Sequence, residues 1–255
     1  ENSIVGDIYE PNIRSIESYK NGTEVAELMQ KYDLETIPVV NVQGKLLGRI
    51  TIDDVLDLIT EQADLERQMM SGISNDAEED DSVWLLSKSR LPWLIVGMLG
   101  GILGAQFIGL FENVITQVTA MAFFIPLITA TGGNVGIQSS SMIVQSLARD
   151  SSDIGLRLDR FGKGFVVSVI NGLAISTLVF LFNIVLKQEI HLSITVSIAL
   201  FCVVLVSSFM GTITPLILYR FGVNPALASG PFITTANDLL GLGIYFSVAH
   251  LLFSF

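Results

Sequence analysis

Five apolar runs, each about 20 residues or longer, fill the chain from Leu91 onward: roughly 91–111, 114–147, 163–186, 193–219 and 225–255. As an α-helix, a run of about 20 residues covers the ~30 Å hydrocarbon core of a bilayer. Core helices of a soluble protein could also be this apolar, but five in one block exceed what a soluble fold of this size needs. Half of the 255 residues are hydrophobic and the mean hydropathy is +0.59. The expected class is an α-helical polytopic membrane protein with five transmembrane helices and a small α/β cytosolic domain.

The charge separates the chain into two parts. Residues 1–90 carry 19 acids and 8 bases, whereas residues 91–255 carry 6 of each, so the net charge of −11 belongs to the first third. An acidic soluble module disfavours nucleic acid and favours cations. The expected domains are a cytosolic module over 1–60, a connecting helix and acidic linker over 61–90, and a five-helix pore domain over 91–255. Lys88 and Arg90 precede the first span. Arg149, Arg157, Arg160 and Lys163 separate the second from the third, and Arg220 separates the fourth from the fifth. The opposite side holds only Lys187. The bias of cytoplasmic loops toward Lys and Arg places the N-terminus in the cytosol and the C-terminus outside, in the inner or plasma membrane of a cell. Five is an odd number of spans, so a pore is expected to need a partner subunit across a two-fold axis. The single cysteine, Cys202, excludes a disulfide framework. The chain begins with Glu rather than Met and is expected to be a fragment.

In the first module, "TEVAELMQKYD" (23–33) places Val25, Leu28, Met29 and Tyr32 on one helical face, with Thr23 as N-cap. "TIPVVN" (36–41) and "LLGRIT" (46–51) read as strands around a turn at Gln43-Gly44. "IDDVLDLITEQADLERQMM" (52–70) reads as a helix and 71–82 as a polar, acidic linker. The predicted order is α-β-β-α.

Two spans depart from a plain membrane code. The second contains "PLITATGGNVGIQSSSMIVQS" (126–146), with Pro126, Gly132, Gly133 and Gly136 weakening the helix and Asn134, Gln138 and Ser139–Ser141 adding polarity. Irregular backbone at membrane depth requires protein or a water-filled cavity beside it. The fifth contains "GPFITTANDLLGLGIYF" (230–246), with Asp238 among Thr234, Thr235 and Asn237 and no Lys or Arg downstream. "PLITAT" (126–131) and "PFITTA" (231–236) share three identities in spans that run in opposite directions, the mark of an inverted repeat meeting at a binding site.

An Asp at the bilayer centre costs ~3 kcal/mol on insertion scales, so it persists where it faces a cavity, a partner or an ion. A protonated Asp bonded between helices is the structural alternative. Two copies of Asp238 facing a two-fold axis would repel, and a cation removes that penalty. Hard divalent cations prefer oxygen, and Mg²⁺ keeps several of its waters. There is no His/Cys cluster for a softer metal; His191, placed in an external loop, and His250 read as bystanders.

"PLITATGGNVGIQSS" and "NPALASGPFITTANDLLGLGIYF" resemble the two signature segments of the MgtE-type magnesium channels and their eukaryotic solute-carrier relatives. "RLPWLIVGMLGG" (90–101) is similar to that family's entry into its first span. Residues 1–60 resemble the second motif of a CBS pair, through "TIPVVN" and Gly48-x-x-Thr51-x-x-Asp54. The resemblance implies a homodimeric, non-enzymatic channel in the lipid bilayer. It implies a hydrated Mg²⁺ held in the pore by Asp238, with Gly133, Asn134, Thr234, Thr235 and Asn237 lining the pathway. It further implies that cytosolic Mg²⁺ at Asp54 and Asp57 closes the pore through a helix near 61–82. Helical spacing adds Glu61 to that face, and Glu66 is a further regulatory candidate. Some members of the family bind ATP between CBS motifs, and the spacing of Thr51 and Asp54 makes them the candidate nucleotide-binding residues. Gln62 and Leu65 stand where the family carries acids, and Glu66 where Asp is usual, so weak inhibition by Mg²⁺ is expected. The structural alternative for Thr51 is as the cap of the helix that Asp53 and Asp54 begin. Two other functions compete: a secondary transporter of Mg²⁺, Co²⁺ or Mn²⁺ coupled to Na⁺ or H⁺, and a membrane-anchored sensor.

Overall fold

A computed structural model describes residues 13–74, 77–149 and 154–253, without the side chains of 148–149 and 154–161. Asp76 and the side chains of Arg149, Arg157 and Arg160, used above, lie outside the described residues. The chain divides into two compact units, Glu1–Glu66 and Arg67–Phe255.

In the first unit the elements are β1 (Ile16–Glu17), α1 (Gly22–Tyr32), β2 (Thr36–Val40), β3 (Leu46–Thr51) and α2 (Ile52–Met70), whose last turn counts with the second unit. The short β1, absent from the sequence reading, pairs parallel to β2 at Ile16↔Val39. β2 pairs antiparallel to β3, with Ile37 opposite Ile50. The sheet order is β1-β2-β3. Two residues of strand are too few for a periodic signal, so only pairing with β2 identifies β1. Ile16, Val25, Met29, Ile37 and Val55 form the core, so the apolar stripe of α1 is buried against the sheet as its spacing predicts. The N-cap of α1 is Asn21, whose side chain accepts from Thr23 N, and not Thr23. The β2–β3 turn is held by Asn41, whose Oδ1 accepts from Gln43 N at 3.0 Å and Lys45 N at 2.8 Å; Gly44 takes φ +76° beside it.

The second unit holds α3 (Val83–Gly109), α4 (Glu112–Gln117), a 3₁₀ segment (Thr119–Phe124), α5 (Ile125–Arg149), α6 (Ile154–Val185), α7 (Ile190–Arg220), a 3₁₀ turn (Pro225–Ala228) and α8 (Pro231–Phe253). Among the described residues, five helical spans are long and apolar enough to cross a membrane: 83–109, 119–147, 162–185, 190–220 and 225–253. α7 is the central one and packs against α5, α6 and α8, while α3 lies at the rim against α8. Leu94, Met98, Ile102 and Leu103 of α3 are exposed, as a face in contact with hydrocarbon would be. The core runs through Met121, Ile128, Val196, Leu200, Val203, Tyr245 and Phe246, and the Tyr245 hydroxyl donates to Met121 O at 3.0 Å. The α6–α7 hairpin closes through Lys187 at φ 56°, with Gln188 N donating to Asn183 O at 3.0 Å. His191 lies in the first turn of α7 rather than in a loop.

The second span is not irregular over 126–146, as the sequence led one to expect. α5 is one continuous helix from Ile125, and the break falls upstream in the 3₁₀ segment. Pro126 and Pro231 stand in the first helical turn, where the missing N–H has no helical partner to lose. The glycines serve close approach instead. Gly211 of α7 lies directly against the carbonyl oxygen of Gly136, with Ser139 Cβ only 2.9 Å from where its own β-carbon would be. Hydroxyls fasten the same crossing: Ser139 and Ser208 Oγ are 3.0 Å apart, and Ser168 of α6 donates to Ser208 at 2.6 Å.

Candidate cation site

Asp238 lies about 10 Å along α8 from its first residue, at 1.5 Å per residue. Thr234 precedes it by four residues, so the two share a helical face. That face meets α5 at Gly133: a β-carbon there would lie 3.2 Å from Thr234 Cγ2 and 3.6 Å from Asp238 Oδ1. The Asp238 carboxylate therefore sits beside bare backbone in the α5–α8 seam, partly buried. The Thr234 hydroxyl donates to Pro231 O at 2.9 Å, which leaves its lone pairs free to accept from water. Among the described residues, no Lys, Arg or His pairs with Asp238, and no three His, Cys, Asp or Glu side chains gather as a metal cage. One carboxylate and a hydroxyl do not strip a divalent cation of its shell, but they suit one that keeps its waters.

The remaining expected wall residues point in different directions. Asn134 is exposed on α5, and Gln138, one turn on, is exposed beside it. The i, i+4 spacing of the two amides puts them on one face of α5. Thr235 faces α3, where a β-carbon at Gly100 would overlap its methyl group. Asn237 is completely buried and faces α5, where a β-carbon at Gly136 would overlap its amide. Among the described residues, Asn183 and Asn237 are those whose buried side-chain nitrogen and oxygen both lack a hydrogen-bond partner. Leaving such groups unpaired costs about 1–3 kcal/mol each.

α5 and α8 are antiparallel: Ile128 meets Gly241, Gly133 meets Thr234 and Asp238, and Gly136 meets Ile233. "PLITAT" and "PFITTA" thus lie at opposite ends of the pair, each opening its own helix, and do not meet each other. The site forms where "PFITTAND" crosses "GGNVG".

In the first unit, Asp54 Oδ2 accepts from Thr51 N at 2.9 Å and from Thr51 Oγ1 at 2.7 Å. The third residue of α2 thereby reaches back to the residue that caps it. These bonds, that from the backbone N–H first, hold the Asp54 carboxyl below its ordinary range. Both groups proposed for a nucleotide are thus bonded to one another. Asp54, Asp57 and Glu61 form an exposed stripe at spacings of three and four; Glu66 falls off that stripe and is partly buried.

Two family models and several curated proteins match the chain. The MgtE family, described as divalent cation transporters, matches residues 125–248, which contain both sides of the seam. The CBS domain family matches residues 5–61. Proteins named magnesium transporter MgtE are similar along nearly the whole chain: 33% identity over 96% of it in Bacillus subtilis and 34% over 97% in Thermus thermophilus. The chain belongs to the MgtE family. It spans about half the length of these relatives, 54% and 55% respectively. A further MgtE relative, from Enterococcus faecalis, is 31% identical over 98% of the chain. The MgtE match runs from 125 to 248, so it contains α5, α6, α7 and Asp238 but not α3. It therefore coincides with the part of the bundle that builds the seam.

Proposed function

We propose that the chain moves hydrated divalent cations, Mg²⁺ foremost, across the inner or plasma membrane as a passive channel, along the α5–α8 seam. The observation that carries this reading is the Asp238 carboxylate set against the bare backbone of Gly133, with Thr234 on its face. The exposed amides of Asn134 and Gln138 support a second copy of the chain across that face, because lipid cannot satisfy them. Two Asp238 carboxylates at a two-fold axis would then share one hydrated ion. The family's description and the magnesium named in its relatives support the choice of cargo. The distribution of Lys and Arg supports a cytosolic N-terminus and an outer C-terminus. In the first unit, the stripe Asp54, Asp57 and Glu61 supports a low-affinity Mg²⁺ sensor; the Thr51–Asp54 bond leaves ATP with little support.

The antiparallel packing of two helices that each open on a similar segment supports a second reading, a secondary transporter built on an inverted repeat. One experiment separates the two: Mg²⁺ flux into liposomes holding the purified protein, with and without an imposed Na⁺ or pH gradient. A channel carries Mg²⁺ without either gradient. Flux that requires one would replace the channel by the coupled transporter. Flux unaltered in folded Asp238→Asn would sink the site.

A further inference from the structure

Asn237 holds the place in the seam that packing alone does not explain. Its amide is completely buried, both polar atoms lack a partner, and it fills the notch left by Gly136. A leucine, with the same branched arrangement of heavy atoms, would fill that notch without stranding an amide. Asn237 also adjoins the site: it is next in sequence to Asp238, and its backbone oxygen lies 3.5 Å from where a β-carbon of Gly132 would be. Thr234 and Asp238 line the outer edge of the α5–α8 contact at Gly133, and Asn237 its inner edge at Gly136. Parting α5 from α8 by the width of a water shell would wet both edges together.

We propose that Asn237 is a second binding residue for the transported cation, engaged only when the seam is open. The inference rests on the reading of the seam as the ion pathway. In the closed seam described here the amide is parked against Gly136. In the open seam its carbonyl oxygen accepts hydrogen bonds from the waters of the ion whose charge Asp238 balances. The missing partner is thus the shell of the ion itself. A polar group unsatisfied in one state and satisfied in the other also favours opening, since a ligand shifts such an equilibrium only by binding the two states differently.

Two measurements on the full chain test this. In Asn237→Leu, melting in detergent should rise, because an unpaired amide is removed, while Mg²⁺ flux in liposomes falls by about tenfold, the loss of one good hydrogen bond to a charged centre. In a Cys202→Ala background that retains flux, Asn237→Cys should react with a small charged methanethiosulfonate from water, whereas Ala249→Cys, equally buried in the core, should not. Full flux in Asn237→Leu, or a lowered melting temperature, overturns the proposal. So does an Asn237→Cys no more reactive than Ala249→Cys. Should Asn237→Leu fail to fold, the labelling decides alone. If Asp238→Asn abolishes flux while Asn237→Leu leaves it whole, only this proposal fails; if Asp238→Asn leaves flux whole, the site itself does.

Discussion

At the scale of single residues, the proposed cation site rests on one acid without a base. Asp238→Asn keeps the shape of the side chain and removes its charge, so the protein should fold and Mg²⁺ flux should vanish. Asp238→Glu moves the carboxylate by about a bond length toward Gly133 and should retain part of the flux. Gly133→Leu places a side chain where Thr234 Cγ2 and Asp238 Oδ1 already stand within 3.6 Å of a β-carbon, and should block the seam. Normal transport with leucine there would put this stretch of α5 away from the pathway. In the first unit, Asp54 gives a pH signature. Its carboxyl is held low by Thr51, so it adds stability above the pKa of an unfolded Asp, about 3.9, and loses it as pH falls through the lower folded value. Hydrogen-exchange protection at the first turn of α2, corrected for the intrinsic rate, should fall over that acid range, and in Asp54→Ala it should be low already at neutral pH.

Among the elements, the α5–α7 crossing carries the bundle. Gly211 touches the carbonyl oxygen of Gly136, which is backbone and cannot swing aside. Gly211→Ala should therefore cost about 1–3 kcal/mol through overpacking, read as a lower melting temperature in detergent. The serine bonds at the same crossing are worth less. Ser208→Ala frees Ser139 and Ser168 together, yet interhelical hydrogen bonds in membranes average about 0.6 kcal/mol. A larger effect of Ser208→Ala than of Gly211→Ala would mean that the hydroxyls, and not close packing, join these helices. The continuity of α5 follows from the same contacts. Its glycines lower helix propensity, but they admit neighbours so closely that packing outweighs the loss.

For the molecule as a whole, the proposed Mg²⁺ sensor lies in the acidic first unit. Its charges act over about 8 Å at physiological ionic strength, so in the proposed dimer only close pairs between copies would matter. Asp54, Asp57 and Glu61 offer one such stripe, and Gln62 and Leu65 add no charge to it. Mg²⁺ on the cytosolic side should inhibit flux only at millimolar concentration or above, and Asp54→Asn/Asp57→Asn should weaken that further. Strong inhibition well below millimolar, unchanged in the double variant, would place the sensor elsewhere. What the sequence determined by itself is whatever short-range chemistry enforces: five spans set by bilayer thickness, a β-β-α unit set by strand and helix periodicity, and Asp238 as an acid with no basic partner in its helix. Boundaries such as Leu46–Thr51 and Ile52–Met70 fell where the residues change period. The tertiary structure alone decided which neighbour each polar residue meets. Thr234, Thr235, Asn237 and Asp238 look alike as a string. Helical rotation of about 100° per residue sends Thr235 to α3 and Asn237 into the notch at Gly136, and leaves Thr234 and Asp238 together against Gly133. Periodicity gives the angle between side chains on one helix, but the partner at each angle is fixed by packing against helices distant in sequence.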